Sequence, residues 1–151
     1  MQATTPPSPD LDPLRARSGF ADLVDYRLTR WQTDEAEVQV TIGPQHLNRS
    51  GVLHGGVLCT ILDAASGYAG CFLDVPGRRR RAFTLSLNTQ FIATAAVGAR
   101  LTCVARRTGG GRSVFFTGAE VRDEAGTLVA RADGVFKYRG RSGEPDGEPV
   151  A

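Results

Sequence analysis

No apolar run in this chain approaches the ~18 residues that a bilayer-spanning helix needs. The N-terminus also lacks the basic-then-apolar order of a secretory signal. A cytoplasmic protein with no membrane partner is expected. Cysteine is scarce: Cys59, Cys71 and Cys103 are odd in number and show no Cys-x-x-Cys spacing, so neither a disulfide framework nor a zinc site is indicated. They read as small core residues, and no metal or cofactor is expected. A net charge of only +2 is too small to argue for a nucleic-acid partner, although arginine is locally dense. There is no Gly-x-Ser-x-Gly elbow, so Ser50, Ser66, His54 and Asp63 do not read as a serine triad. No Lys-Ser/Thr follows Gly109-Gly110-Gly111, which therefore reads as a hairpin turn and not a phosphate cradle.

What is present describes one ordinary globular domain. At 151 residues the chain can bury about two-thirds of its unfolded surface without staples. With 41% hydrophobic and 23% charged residues it is not disordered as a whole. Residues 1–18 carry Pro6, Pro7, Pro9 and Pro13 among polar residues and are expected to be a disordered tail. Beyond Arg139 a glycine- and proline-bearing polar stretch, 139–151, reads as a second flexible tail, leaving 19–138 as the folded domain.

Within it, Gly19 to Val24 suggests a short helix with Phe20 and Leu23 inward, followed by a strand from Tyr26 to Gln32. Glu35 to Ile42 alternates, with Val38, Val40 and Ile42 on one face. Val57, Leu58, Ile61, Leu62, Ala65, Tyr68, Ala69 and Phe72 recur at helical spacing, predicting a buried helix from Gly55 to Phe72. Four strands follow. In the first, Phe83, Leu85 and Leu87 alternate with Thr84, Ser86 and Asn88; Gly98 to Arg107, Arg112 to Arg122 and Thr127 to Tyr138 then form a meander. This order argues for an α+β fold in which a curved antiparallel sheet wraps one long helix. His46 reads as a surface histidine.

Chemistry concentrates between Asn48 and Gly67. The first N–H groups of a helix have no partner within it and carry the positive end of its dipole, so they can stabilise an oxyanion. Gly55 and Gly56 leave those groups accessible, with Asn48 and His54 beside them. Asp63 is off the apolar face, on a stripe of small residues (Gly56, Cys59, Thr60, Ser66, Gly67 and Gly70) that lets a ligand or a second chain come close.

Asn48, Gly51, His54-Gly55-Gly56 and Asp63, in a loop leading into a helix, resemble the hotdog-fold acyl-CoA thioesterases of the phenylacetate-pathway (PaaI-like) family. The asparagine lies six residues before the histidine and the aspartate nine after it, a more specific pattern than the triplet alone. The resemblance implies that Asp63 is the catalytic carboxylate, Gly55 the backbone oxyanion donor, Asn48 and His54 polar partners of the thioester, and Thr84 a support for the attacking water. The substrate it implies is an aryl or medium-chain acyl-CoA. Gly56 and Ser66 are candidate substrate contacts, and Arg78, Arg79, Arg80, Arg81, Arg106, Arg107 and Arg112 could engage coenzyme A phosphates. Asp63 could act as general base or as nucleophile. A hotdog dehydratase or hydratase and a non-catalytic acyl-CoA-binding protein are the alternative functions.

Helix geometry adds an expectation about assembly. Gly55 and Asp63 are eight positions apart, about 12 Å along a helix at ~1.5 Å per residue, too far for one thioester carbon to meet both. If both act, they come from different chains, in a homodimer or a dimer of dimers with shared active sites.

Overall fold

The computed structural model describes residues 17–150. Ser18 caps the first helix, α1 (Gly19–Val24), by accepting a hydrogen bond from the Ala21 N–H at 3.1 Å. The remainder of the expected N-terminal tail, 1–16, lies outside the described residues. Helix α1 buries Ala21, while Phe20 and Leu23 are 56% and 75% exposed, contrary to the inward placement expected of them. Six residues make less than two helical turns, so one small side chain is enough to seat such a helix.

Strands β1 (Tyr26–Gln32), β2 (Glu35–Thr41), β4 (Ala82–Phe91), β5 (Arg100–Gly110), β6 (Val114–Arg122) and β7 (Leu128–Tyr138) form one antiparallel sheet in the order β1-β2-β5-β6-β7-β4. Helix α2 (Gly55–Cys71) lies on its inner face, chiefly against β2, β5 and β6. The expected hotdog arrangement is present. Leu58, Ile61, Leu62, Ala65 and Ala69 of α2 meet Val38, Val40, Leu101, Cys103, Ala105 and Val121 in the main core. Burial raises the thiol of Cys71 to about 12 and pushes that of Cys103 higher still, so both are inert core groups. His46 is not a surface residue. At 3% exposure it accepts from the Gly43 N–H at 2.9 Å through Nδ1, and its Nε2 lies 2.6 Å from the Val24 carbonyl, pinning the loop before α2 to the end of α1.

The sheet has two edges, and β4 is one of them. Thr84 pairs with Phe136 and Ser86 with Val135, leaving Leu85 as an extra residue, a β-bulge. The bulge exchanges the faces of the strand midway. Ala82, Thr84 and then Leu87 look toward α2, whereas Phe83 and Leu85 are exposed on the other side. The alternation that groups Leu87 with Phe83 and Leu85 therefore does not survive.

Residues 140–150 are not a flexible tail. Strand β8 (Glu148–Pro149) pairs with β3 (Arg78–Arg79), Ser142 is buried, and its hydroxyl accepts from the Arg81 N–H at 3.0 Å. The arginine run anchors the segment. Arg78 meets Asp146 at 2.9 Å, Arg79 meets Glu148 at 3.6 Å and Arg81 meets Glu148 at 2.5 Å. The hydrogen bond from Arg81 above all, with that of Ser142 and the charges of Arg81 and Arg79, holds the Glu148 carboxyl below its ordinary value against the opposing effect of burial. Gly143 is needed here because a Cβ on it would overlap the Arg112 carbonyl.

A second close approach sits at the C-terminal end of α2. A Cβ on Gly70 would overlap the ring of Phe115, which is fully buried and stacked on Phe136 with centroids 5.1 Å apart. Beside it the Tyr138 hydroxyl donates to the Gly70 carbonyl at 2.6 Å. Alanine is the better helix former by ~1 kcal/mol, so Gly70→Ala would stabilise an uncrowded helix. Overpacking of ~1–3 kcal/mol should outweigh that gain and lower Tm by several degrees, at ~2–4 °C per kcal/mol. A thermal melt showing an unchanged or raised Tm would contradict the close approach.

Candidate active site

The chain enters α2 through a loop that its own side chains organise. The Asn48 Oδ1 accepts from the backbone N–H groups of Ser50 and Val52 at 2.9 and 3.1 Å, closing the turn. His54 is the N-cap: its Nδ1 accepts the Gly56 N–H at 2.8 Å, which puts the ring proton on Nε2. Gly56 is thereby occupied by the cap and not free for substrate. Gly55 N–H is left without an intrahelical partner, and a Cβ on Gly55 would press on the Phe91 ring at 3.1 Å. The donors this loop leaves over include the Gly55 N–H, the side-chain amide of Asn48 and the His54 Nε2–H.

Asp63 lies two turns further along α2, in a groove of about 890 Å³ between the helix and the two edges of the sheet. Thr84 donates its hydroxyl proton to Asp63 Oδ1 at 2.5 Å. One carboxylate oxygen is so oriented while the other keeps its lone pairs. Cys59, Thr60, Ala64 and Gly67 form the helical floor. Thr60 returns its hydroxyl to the Gly56 carbonyl at 2.8 Å, and Cys59 approaches Thr89 at 3.8 Å. The structure brings Asp63 and Thr84 together; Asn48, His54 and Gly55 are not among the residues lining this groove.

Sequence patterning missed the opposite wall. Tyr26 and Trp31 from β1, with Tyr68 from α2, line the groove. The Trp31 indole N–H donates to the Tyr68 carbonyl at 2.7 Å, and its ring meets those of Tyr68 and Phe72 edge-on at 5.7 and 5.4 Å. Burial raises the Tyr26 phenol above its ordinary value; the Ser18 hydroxyl works against this and the Asp63 charge with it, so the phenol stays protonated and able to donate. Period-two spacing in β1 could have put Tyr26 on an inner face, but nothing local says that a helix beginning at Gly55 would face it.

Several expected contacts lie elsewhere. Ser66 is 0% exposed and faces the core, so it cannot touch a substrate in the groove. Of the seven arginines, only Arg80 and Arg81 line the groove. Arg106 pairs with Glu35 at 2.9 Å and borders a separate hollow on the outer face of the sheet. Arg107 pairs with Asp34 at 3.7 Å and Arg112 with Glu144 at 3.8 Å. Arg139, which the pattern did not single out, does line the groove.

Comparison with known proteins adds the family. Residues 50–130 match the thioesterase superfamily. A Pseudomonas aeruginosa relative described as a candidate esterase is 34% identical over 125 residues, 82% of this chain and 91% of its own. Among solved structures, the PaaI protein of the E. coli phenylacetic acid degradation operon superposes with a TM-score of 0.73 at 20% identity, covering 83% of this chain and 87% of that one. A hypothetical thioesterase protein of Streptococcus pneumoniae, solved with coenzyme A, gives 0.67 at 21% identity, covering 77% and 87%. At these identities the two structures speak to fold. The superfamily match over more than half of the chain and the P. aeruginosa relative together establish that this chain belongs to the thioesterase superfamily, and its hotdog architecture is the one it shares with the E. coli PaaI protein.

Proposed function

We propose that the protein hydrolyses acyl-CoA thioesters to free acid and coenzyme A, with Asp63 as general base. The observation that carries this reading is the hydrogen bond from Thr84 to Asp63 Oδ1 inside the groove. A carboxylate whose one oxygen is held by a hydroxyl can take a water proton on the other, and the deprotonated water attacks the thioester carbonyl carbon. The carbonyl oxygen becomes an oxyanion, for which a free Gly55 N–H at a helix N-terminus is the natural donor. Collapse breaks the C–S bond. The thiolate leaves with little acid assistance because the conjugate thiol has a pKa near ~8.5, and it recovers a proton from Asp63 or solvent. Coenzyme A as the carrier is in keeping with the coenzyme A held by the S. pneumoniae protein of the same fold.

The separation of the two groups supports a shared site. Gly55 and Asp63 remain ~12 Å apart along a continuous helix, and the loop before α2 does not line the Asp63 groove of its own chain. Strand β4 is a ten-residue edge with Phe83, Leu85 and Phe91 exposed, an uncovered template for pairing with a second copy. A two-fold dimer through this edge would bring one chain's Gly55 and Asn48 to the other's Asp63.

Two experiments test these assignments. Asp63→Asn should lower kcat for thiol release from acyl-CoA by ~10²-fold or more in a folded protein, since a positioned base contributes ~10²–10⁴; near-normal turnover removes Asp63 from the chemistry. Asn48→Asp keeps the oxygen that accepts from Ser50 and Val52 but deletes the amide donor. Co-refolding inactive Asn48→Asp chains with inactive Asp63→Asn chains should restore roughly a quarter of wild-type activity, because half of the dimers are mixed and each mixed dimer has one intact site. Heterodimers proven by mass spectrometry but without activity would place both groups in one chain's site.

A further inference from the structure

The groove ends in charge that nothing among the described residues fully answers. It runs from Asp63 and Thr84 across Ala64, Gly67, Ala82 and Phe136 to Arg80, Arg81 and Arg139. Arg81 is compensated by Glu148 at 2.5 Å. Arg80 is not: its NH2 group reaches only the carbonyls of Glu144 and Pro145, at 3.4 and 3.2 Å, and its guanidinium lies 6.0 Å from the Tyr138 ring centroid. Its Nε–H is buried without a partner among the described residues. Arg139 lines the same end and makes no ion pair with any of the described carboxylates, while its backbone N–H is fixed to the Arg81 carbonyl at 2.8 Å. A buried guanidinium donor without an acceptor is costly unless something supplies one.

We infer that Arg139, with Arg80 behind it, is a subsite for an anionic group carried by the thioester substrate, a carboxylate or phosphate oxyanion. The inference rests on the thioesterase reading only in placing the reacting carbon at Asp63. Thr84, which holds Asp63, pairs with Phe136, three residues before Arg139 on the same chain path. At ~3.3 Å per residue the Arg139 backbone lies about 10 Å along the chain from the residue that pairs with Thr84, and its side chain can reach back from there. A carboxylate at the far end of an eight-carbon acyl chain spans that distance across the apolar floor. The pantetheine arm is about as long as four extended residues, roughly 15 Å, and must fold to bring a coenzyme A phosphate to the same place.

Binding of non-hydrolysable ketone analogues, with a methylene between sulfur and carbonyl, tests this independently of turnover. Octanoyl and octanedioyl analogues, each on pantetheine and on coenzyme A, are titrated calorimetrically into the wild type, Arg139→Ala and Arg139→Lys. The terminal carboxylate should tighten wild-type binding by ~10-fold, the usual scale of a charge-assisted hydrogen bond. Arg139→Ala should abolish that advantage, Arg139→Lys should keep part of it, and octanoyl-pantetheine binding should stay within about twofold throughout. If the carboxylate has no effect but the advantage of coenzyme A over pantetheine disappears in Arg139→Ala, the anion is a nucleotide phosphate and the subsite stands with that occupant. No Arg139-dependent preference in either pair overturns the inference. Absence of thiol release from octanoyl-CoA by the wild type is the separate failure of the thioesterase reading and leaves these titrations fully readable.

Discussion

Thr84 can reach Asp63 because β4 carries one residue more than β7 pairs with. In a regular strand Thr84, Ser86 and Asn88 share one face and Phe83, Leu85 and Leu87 the other. With Leu85 bulged out, Thr84 and Leu87 both turn to α2: the first orients the carboxylate and the second closes the apolar floor beside it. The same bulge leaves Phe83 and Leu85 exposed on the outer side of an edge strand. One inserted residue thus links the geometry of the acid to the surface through which a second copy would complete the site, in keeping with the tendency of bulges to lie at sheet edges near functional groups.

Electrostatics divides the arginines into two sets. Arg78, Arg79 and Arg81 are matched by Asp146 and Glu148, and what they secure is the C-terminal segment against the end of the groove. Ion pairs on a surface contribute little each, but Arg79 and Arg81, which share the buried Glu148 carboxylate, form a network with more effect. Arg80 and Arg139 stand outside that network, so the positive potential they create remains available to a ligand. A uniform basic run in the sequence conceals this difference, because it depends on which acids of 140–150 fold back.

The elements that were legible are those written in local periodicity. Strand β1 and the start of α2 fall where the pattern puts them, since Leu58, Ile61, Leu62, Ala65 and Ala69 bury at helical spacing against a sheet. The loop before α2 was legible as a polar glycine turn into the helix, but Asn48 and His54, read there as partners of the thioester, also serve backbone N–H groups two to four positions away, which the pattern did not indicate. What was not legible depends on distant chain. Ser66 reads as part of a small-residue stripe, yet it is buried on the core side, and Gly70 is filled by Phe115 from β6. The glycines after Arg139 read as flexibility, whereas Gly143 is there to let one backbone touch another. A bulge leaves no mark in an alternating pattern, and so the meeting of Asp63 with Thr84 could be expected only from the family resemblance.

Everything proposed for the chemistry requires that one carbonyl meet an acid and a donor held ~12 Å apart on each helix. The most direct measurement is a crystal structure with a non-hydrolysable acyl-CoA ketone analogue. The account predicts the analogue at a two-fold interface, its carbonyl oxygen about 3 Å from Gly55 N of one chain and its carbonyl carbon, through a water, beside the Asp63 carboxylate of the other. An analogue whose carbonyl contacts Gly55 and Asp63 of the same chain, or neither, would contradict it.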